Sequence, residues 1–306
     1  MEWIKSGLIN IVGKIEWSKS HAQVPTVLLL KDRVRVYFAT RPKPGLSMTT
    51  FCDLDINDLN QVLYIHNKPV LDLGGPGTFD EYGIMPSSII AKQECIFLYY
   101  SGWSRSVGVP YKNYTGLAIS EDGGLTFRKA YKGPILDRTK FEIYSATSPE
   151  VYFDGNWHMW YCSGTNWLKI EDKYEHTYDI KYAHSNNGIE WNRDCKISIK
   201  QKNEFEAITK PSVIVLNKKY HMWYCFRGSI DFRSGPGAYR IGYAISDNLE
   251  DWERRDNEAG ISRSDYGWDS EMIAYPAILK LGEDYYMFYN GNSFGKDGFG
   301  LAKLKF

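Results

Sequence analysis

No stretch of this 306-residue chain approaches the ~18 consecutive apolar residues of a membrane-spanning helix. Met1 to Gly13 has neither a cationic start nor a continuous apolar core, so it does not read as an export signal, and a cytoplasmic protein made without Sec export is expected. Charge of one sign is also missing: 37 Lys and Arg balance 37 Asp and Glu, with no basic stripe for nucleic acid and no charged tail for a membrane surface. Cysteine is sparse and unpatterned. The five cysteines, at 52, 95, 162, 195 and 225, form no CxxC pair, and their odd number fits a reducing compartment. Cys162 and Cys225 each directly follow Trp-Tyr and read as small apolar packing residues, because no His partner for a catalytic thiol can be placed beside either. No cofactor is expected and no metal ligands are assigned, while a Ca²⁺ in a central channel stays open.

A helical period is lacking as well; a repeat of about 62 residues takes its place. Pro25, Pro86, Pro149, Pro211 and Pro276 each open an apolar segment. About a dozen residues later comes an aromatic-rich one: Val36-Tyr37-Phe38, Leu98-Tyr99-Tyr100, Met159-Trp160-Tyr161, Met222-Trp223-Tyr224 and Met287-Phe288-Tyr289. A third short segment follows, such as Ile180–Ser185 or Ile241–Ser246, then a turn rich in Asp, Asn and Gly, then a fourth segment beginning at Phe127, Trp191 or Trp252. Four β-propensity runs per copy predict an all-β, five-bladed propeller of four-stranded antiparallel blades, one domain over residues 1–306. The fifth copy ends after its third strand. Trp3–Ile9 resembles the fourth segments of other copies and is expected to complete the last blade and close the ring, since an open edge strand invites aggregation.

In such a ring the first strands line the channel, so the residues around the five prolines are the candidates for a site. Asp80 and Glu81, Glu206, and Glu271 arrive just ahead of three of those prolines. Converging carboxylates would raise at least one pKa, as a general acid requires; capping a turn or pairing with a basic neighbour is the competing role. Glu150 stands where the other copies have Thr26, Ser87, Ser212 and Ala277. Period-two alternation would put Glu150 on the channel side with Ser148, facing Lys210, either as an ion pair that plugs the channel or as a catalytic carboxylate tuned by the lysine. The second strands end near Arg41, Trp103 and Arg227, which with His21 from the first copy could hold an anion beside a sugar ring. The 15% aromatic content fits sheets and fits sugar stacking. Ser120-Glu121-Asp122-Gly123-Gly124-Leu125-Thr126-Phe127 matches the sialidase-type Asp box, a turn device remote from catalysis, and weaker echoes occur at Ser185 and Ser246.

Five copies, Trp-Tyr strand ends and these turns resemble, over essentially the full length, the five-bladed propeller glycosidases: arabinanases and β-xylosidases, invertase-like fructosidases, and mannoside phosphorylases. The resemblance implies acids at the first three channel strands. Here the first offers His21 and Gln23 instead, Asp80 or Glu81 matches the second, and Glu150 or Glu142 the third. It implies a carbohydrate or sugar-containing ligand and a glycosidase using two of Asp80, Glu81, Glu150 and Glu271 as acid and base, with His21, Arg41, Trp103, Glu206, Lys210 and Arg227 binding substrate. A phosphorylase or glycosyltransferase built on an Arg/Lys/His anion site, and a non-catalytic sugar-binding propeller, are the alternatives.

Overall fold

Twenty short strands and almost no helix make up the protein, whose 306 residues are all described by a computed structural model. Strand β1 (Glu2–Ile9) precedes a meander of β2 (Ser20–Leu29), β3 (Arg33–Arg41), β4 (Met48–Asp55) and β5 (Val62–Ile65). The second meander is β6 (Gly83–Lys92), β7 (Cys95–Arg105), β8 (Tyr111–Ser120) and β9 (Arg128–Lys129); the third is β10 (Ala146–Phe153), β11 (Trp157–Ile170), β12 (Lys173–Ser185) and β13 (Ile197–Ile199). A single parallel bridge, Ala146 to Tyr114, joins these two into one eight-stranded sheet. The fourth meander is β14 (Ala207–Leu216), β15 (Lys219–Arg227), β16 (Arg240–Ser246) and β17 (Glu253–Arg254). The last has β18 (Ala274–Leu281), β19 (Asp284–Asn290) and β20 (Phe299–Lys305), and β1 pairs antiparallel with β20 from Glu2–Lys305 to Ile9–Phe299. No helix is long and apolar enough to cross a membrane.

The core lies between sheets. One cluster joins Val36, Phe38 and Leu54 of the first meander to Phe288 and Leu301 of the last. Others join successive sheets, through Tyr37 and Leu98, Tyr99 and Met159, Trp160 and Met222, and Trp223 and Met287. Each buried ring of this kind contributes roughly 1.5–3 kcal/mol by leaving water.

The aromatic doublet of the repeat divides its labour. Its first member crosses to the next sheet and donates to a turn carbonyl: Tyr37 to Gly124 (2.7 Å), Tyr99 to Gly188 (2.7 Å), Trp160 to Leu249 (3.1 Å), Trp223 to Ala259 (3.0 Å). The Asp-box turns are therefore the sockets for the neighbouring sheet's ring, and Asp122 shapes its turn by accepting from the backbone of Leu125 and Thr126. The second member stays in its own sheet and donates to a carboxylate: Tyr100 to Asp80 (2.9 Å), Tyr161 to Glu142 (2.9 Å), Tyr224 to Asp256 (2.5 Å), Tyr289 to Asp269 (3.0 Å).

Two features depart from the repeat. The β11–β12 hairpin runs several residues past its counterparts, beyond Ser163-Gly164 to a tip at Glu171-Asp172. The first strands are also not regular at their prolines. Ser148, Lys210, Tyr275 and Val24, each directly before the proline, take φ of 49°, 52°, 55° and 56°, and the register shifts there. Left-handed backbone is unfavourable for these residue types, most of all for β-branched Val24.

Candidate functional site

A cavity of about 370 Å³ opens where the five first strands meet. The pre-proline residues Val24, Met85, Ser148, Lys210 and Tyr275 all line it. Its walls come from the strand-two to strand-three connections: Trp103 of β7, Tyr111 and Asn113 of β8, Glu175 and Tyr178 of β12, and Phe232, Arg233 and Tyr239 before β16.

The pre-proline kinks are held from the preceding sheet. The N–H of Val24 donates to Asn290 Oδ1 (2.7 Å), that of Ser148 to Ser101 Oγ (3.0 Å) and that of Tyr275 to Cys225 Sγ (3.4 Å). The Cys162 thiol stands at the same place beside Lys210 and donates to Thr209 Oγ1 (3.2 Å). Each acceptor is the residue directly after an aromatic doublet. The first meander has Ala39 at that place, with no acceptor to offer, and Met85 keeps a negative φ.

Four of the anticipated binding residues line the cavity: Arg41, Trp103, Lys210 and Arg227. Arg227 is 4% exposed and has no carboxylate partner. Its guanidinium donates to the carbonyls of Gly228 and His176 (both 2.8 Å) and to Tyr239 Oη (3.3 Å), and packs 3.7 Å from the Phe232 ring centre. Arg41 donates to Gln23 Oε1 (3.3 Å), and burial pulls its pKa down. Lys210, almost fully buried, has Nζ 4.0 Å from Glu150, the longest ion pair in the protein. Burial lowers the lysine and raises the glutamate, each partly offset by the other's charge.

The anticipated carboxylates go elsewhere. Glu150 is not on the cavity wall: the kink at Ser148 breaks the two-residue alternation, so Ser148 faces the cavity while Glu150 accepts from Ser212 Oγ and the Val213 N–H. Asp80 is buried against Lys129 (2.7 Å) and Tyr100, pinning the loop before β6 to β7 and β9. Glu206 forms a two-pronged pair with Arg254, both contacts 2.7–2.8 Å. Glu81 accepts from the Gly77 N–H, and Glu271 projects into solvent with its backbone N–H on Asn292. The expected convergence of Glu81, Glu206 and Glu271 is therefore corrected. Asp80, Glu81 and Glu206 fasten loops, each finding a base or N–H nearby, whereas the Glu271 carboxylate has no protein partner. His21 also lies off the wall; its Nδ1 is 2.8 Å from Ser20 Oγ, and burial together with the Arg41 charge lowers it to about 4.

Sequence reasoning missed Glu175, Arg233, Tyr111, Tyr178, Tyr239 and Tyr275. Tyr275 precedes Pro276 as Lys210 precedes Pro211, so the repeat held that signal. Glu175 stands on β12 at the rung that Tyr111 occupies on β8, so the repeat offers no matching acid there, and Arg233 lies in an irregular connection. Among the 21 lining residues, Glu175 is the one carboxylate, against Arg41, Lys210, Arg227 and Arg233. It pairs with Arg233 at 2.7 Å. Two wall acceptors, Asn113 Oδ1 and Thr147 Oγ1, are buried without a partner, as are both ring nitrogens of His176 behind the wall. His176 stacks on Trp167 (4.1 Å, 12°), and burial with the Arg227 charge holds it at about 3. The cavity is thus a cationic, aromatic-walled hollow with unmet acceptors, suited to a polyhydroxylated ligand that carries negative charge.

No protein-family model matches the chain. Two Mycobacterium tuberculosis proteins, uncharacterized protein Rv1502 of strain ATCC 25618 / H37Rv and uncharacterized protein MT1551 of strain CDC 1551 / Oshkosh, are each 33% identical over 309 residues, covering 100% of this chain and 100% of the relative. Among solved structures, a thermostable family-43 glycoside hydrolase superposes with a TM-score of 0.71 at 18% identity, over 98% of this chain and 93% of the other. A complex of BT0996 with RGII gives 0.75 at 16%, over 99% and 91%. A structure from the GH130 family of mannoside phosphorylases, which contains glycoside hydrolases, gives 0.65 at 13%, over 94% and 85%. At these identities the structural likeness is one of fold.

Proposed function

The chain belongs to the same family as the two Mycobacterium tuberculosis proteins and shares the fold of the propeller glycoside hydrolases; from that premise we propose that its five meanders form one closed five-bladed ring and that the axial cavity takes a carbohydrate bearing a phosphate, sulfate or carboxylate. The ring reading rests on the β1–β20 pairing and on the core cluster that joins the first meander to the last.

The observation that carries the ligand reading is the charge of the wall, four cations to one carboxylate. A buried guanidinium without a counter-ion, such as Arg227, is unfavourable until an anion arrives. Arg227, Arg41 and Lys210 hold the anionic group, Trp103 and the tyrosines face the sugar ring, and Asn113 and Thr147 accept from its hydroxyls. Glycosyl transfer to or from phosphate follows as the reaction class, because hydrolysis by paired carboxylates requires a second acid at roughly 5–9.5 Å and the wall offers one. A binding propeller without turnover is the second reading, favoured by that same single carboxylate.

Calorimetry with glucose 1-phosphate, glucuronate and glucose tests the ligand class. Binding of the two charged sugars with little or none for glucose is expected, and equal affinity for all three would overturn it. An aryl-glycoside panel run with and without phosphate then separates the readings: phosphate-dependent product means a phosphorylase, phosphate-independent product a hydrolase, and binding without product the second reading.

A further inference from the structure

We propose that Arg233 is an exchangeable cation: the anionic group of the ligand draws it off Glu175, and Glu175 takes up a proton as it leaves. The inference rests on the anion-site reading above and adds to it a defined proton balance and a role for the one wall carboxylate.

Glu175, on β12, and Arg233, in the segment between β15 and β16, come from different sheets and meet across the cavity rim with Nη1–Oε1 at 2.7 Å. Their exposures are opposite. The Glu175 side chain is 9% exposed and has this one hydrogen-bond partner, whereas Arg233 is 57% exposed and free to swing. Phe232 gives it a pivot, since the Arg233 guanidinium lies 4.2 Å from that ring centre and Arg227 lies 3.7 Å from the same ring. An arginine can keep its ring contact while its N–H fork changes partner. Arg227 keeps three of its five N–H groups on Gly228, His176 and Tyr239 and has two left for the anion, so Arg233 is the cation free to change partner.

A nearly buried carboxylate that loses its cation and gains a neighbouring anion is pushed toward the neutral form by both changes. The exchange balances simply: one Glu175 carboxylate, one bound anion and one proton become one neutral carboxyl and one Arg233–anion pair, with no covalent bond altered. Arg233 is the ion-pair partner of Glu175, and Tyr111 beside them feels the charges of Glu175, Arg227 and Arg233; Tyr178 and His176 stand nearby on the same strand. The Tyr111 and Tyr178 hydroxyls stay protonated, their pKa values raised by burial, and burial keeps His176 neutral, so none of these three rings supplies or takes the proton. A neutral carboxyl on the wall is also what can donate a proton to a departing glycosidic oxygen, so binding of the anion would arm the acid.

Inorganic sulfate, a dianion at neutral and mildly acidic pH, is the probe. Calorimetric titration in buffers of different protonation enthalpy should show net proton uptake on sulfate binding that grows as the pH is lowered. Glu175→Gln should abolish the uptake and tighten sulfate severalfold, because the competitor for Arg233 is gone. Arg233→Ala should weaken sulfate about tenfold and abolish the uptake, and Arg233→Lys should recover part of the affinity. A purely structural Glu175 predicts the opposite sign for the glutamine variant, namely weaker binding. Sulfate binding without proton uptake, or weaker binding in Glu175→Gln with an unchanged unfolding midpoint, overturns this proposal alone. Absence of saturable sulfate binding in the wild type removes the anion site itself and the reading beneath it.

Discussion

Cys225 Sγ accepts the backbone N–H of Tyr275, a residue of the following sheet held at φ 55°. The thiol also donates to the Thr209 carbonyl (3.3 Å), and burial pushes its pKa up, so the neutral S–H bridges two first strands at the cavity floor. Cys225→Ala should cost about 1–3 kcal/mol in urea unfolding, since it leaves a buried N–H unsatisfied beside a strained backbone. Cys225→Ser should cost less, having both a donor and an acceptor. Equal stability of the alanine variant and the wild type would contradict the staple.

The loop-pinning carboxylates should act on stability and spare binding. Asp80→Asn strands Lys129 and weakens the Tyr100 bond, for a loss of about 2–4 kcal/mol in chemical denaturation. Ligand affinity per folded molecule should not change. Loss of affinity at full stability would return Asp80 to the site.

Two buried imidazoles predict sensitivity to acid. His21 and His176 have folded pKa values of about 4 and about 3, below an unfolded value near 6.5. Between those limits the unfolded chain binds more protons. Stability therefore falls as pH drops below about 6.5, by up to ~1.4 kcal/mol per pH unit per imidazole, and levels only below about pH 4 and pH 3 respectively. Urea midpoints across pH 7 to 4 should show the slope, and His21→Gln should flatten it; a flat wild-type profile would refute burial of both rings.

Arg227→Met should remove the discrimination between charged and neutral sugars. Affinity for glucose 1-phosphate should fall by ~10–100-fold, the scale of one lost charge-assisted fork, while any binding of glucose stays as it was. A uniform loss for both ligands would mean that Arg227 shapes the wall without contacting the anion.

Deleting residues 1–9 removes the strand that pairs with β20 and takes Trp3 and Ile9 from two core clusters. A fall of more than about 10 °C in melting temperature is expected, given ~1.5–3 kcal/mol for each buried side chain. An unchanged melting temperature would show that β1 is dispensable for the stability of the fold.

The prolines and aromatic doublets announce the sheets because every copy solves the same packing problem, one ring across and one ring home. Arg41, Trp103, Lys210 and Arg227 were legible for the same reason, lying at places that the repeat maps onto the cavity. Glu175 was not, since its counterpart on β8 is Tyr111 and no acid repeats there, and Arg233 was not, since it sits in an irregular connection with nothing to align. Asp80 looked catalytic and Glu206 substrate-binding because a fastening acid and a functional acid occupy the same kind of loop, and the sequence does not reveal that Lys129 or Arg254 stands opposite. Glu150 pairs with Lys210 as one reading of the sequence had it, but its place off the cavity wall was hidden by a backbone effect: alternation presumes a regular strand, and the left-handed residue before the proline breaks it.

The β1–β20 pairing has a mechanical consequence. Glu2 stands opposite Lys305, so the two ends of the protein leave the same edge of the same sheet side by side. Tension applied between them loads the hydrogen bonds one rung at a time, opening the pair like a zipper from its outer end. A fold packed through many interlocked rings would thus yield at low force when pulled by these two strands, and resist far more when gripped across two of its sheets.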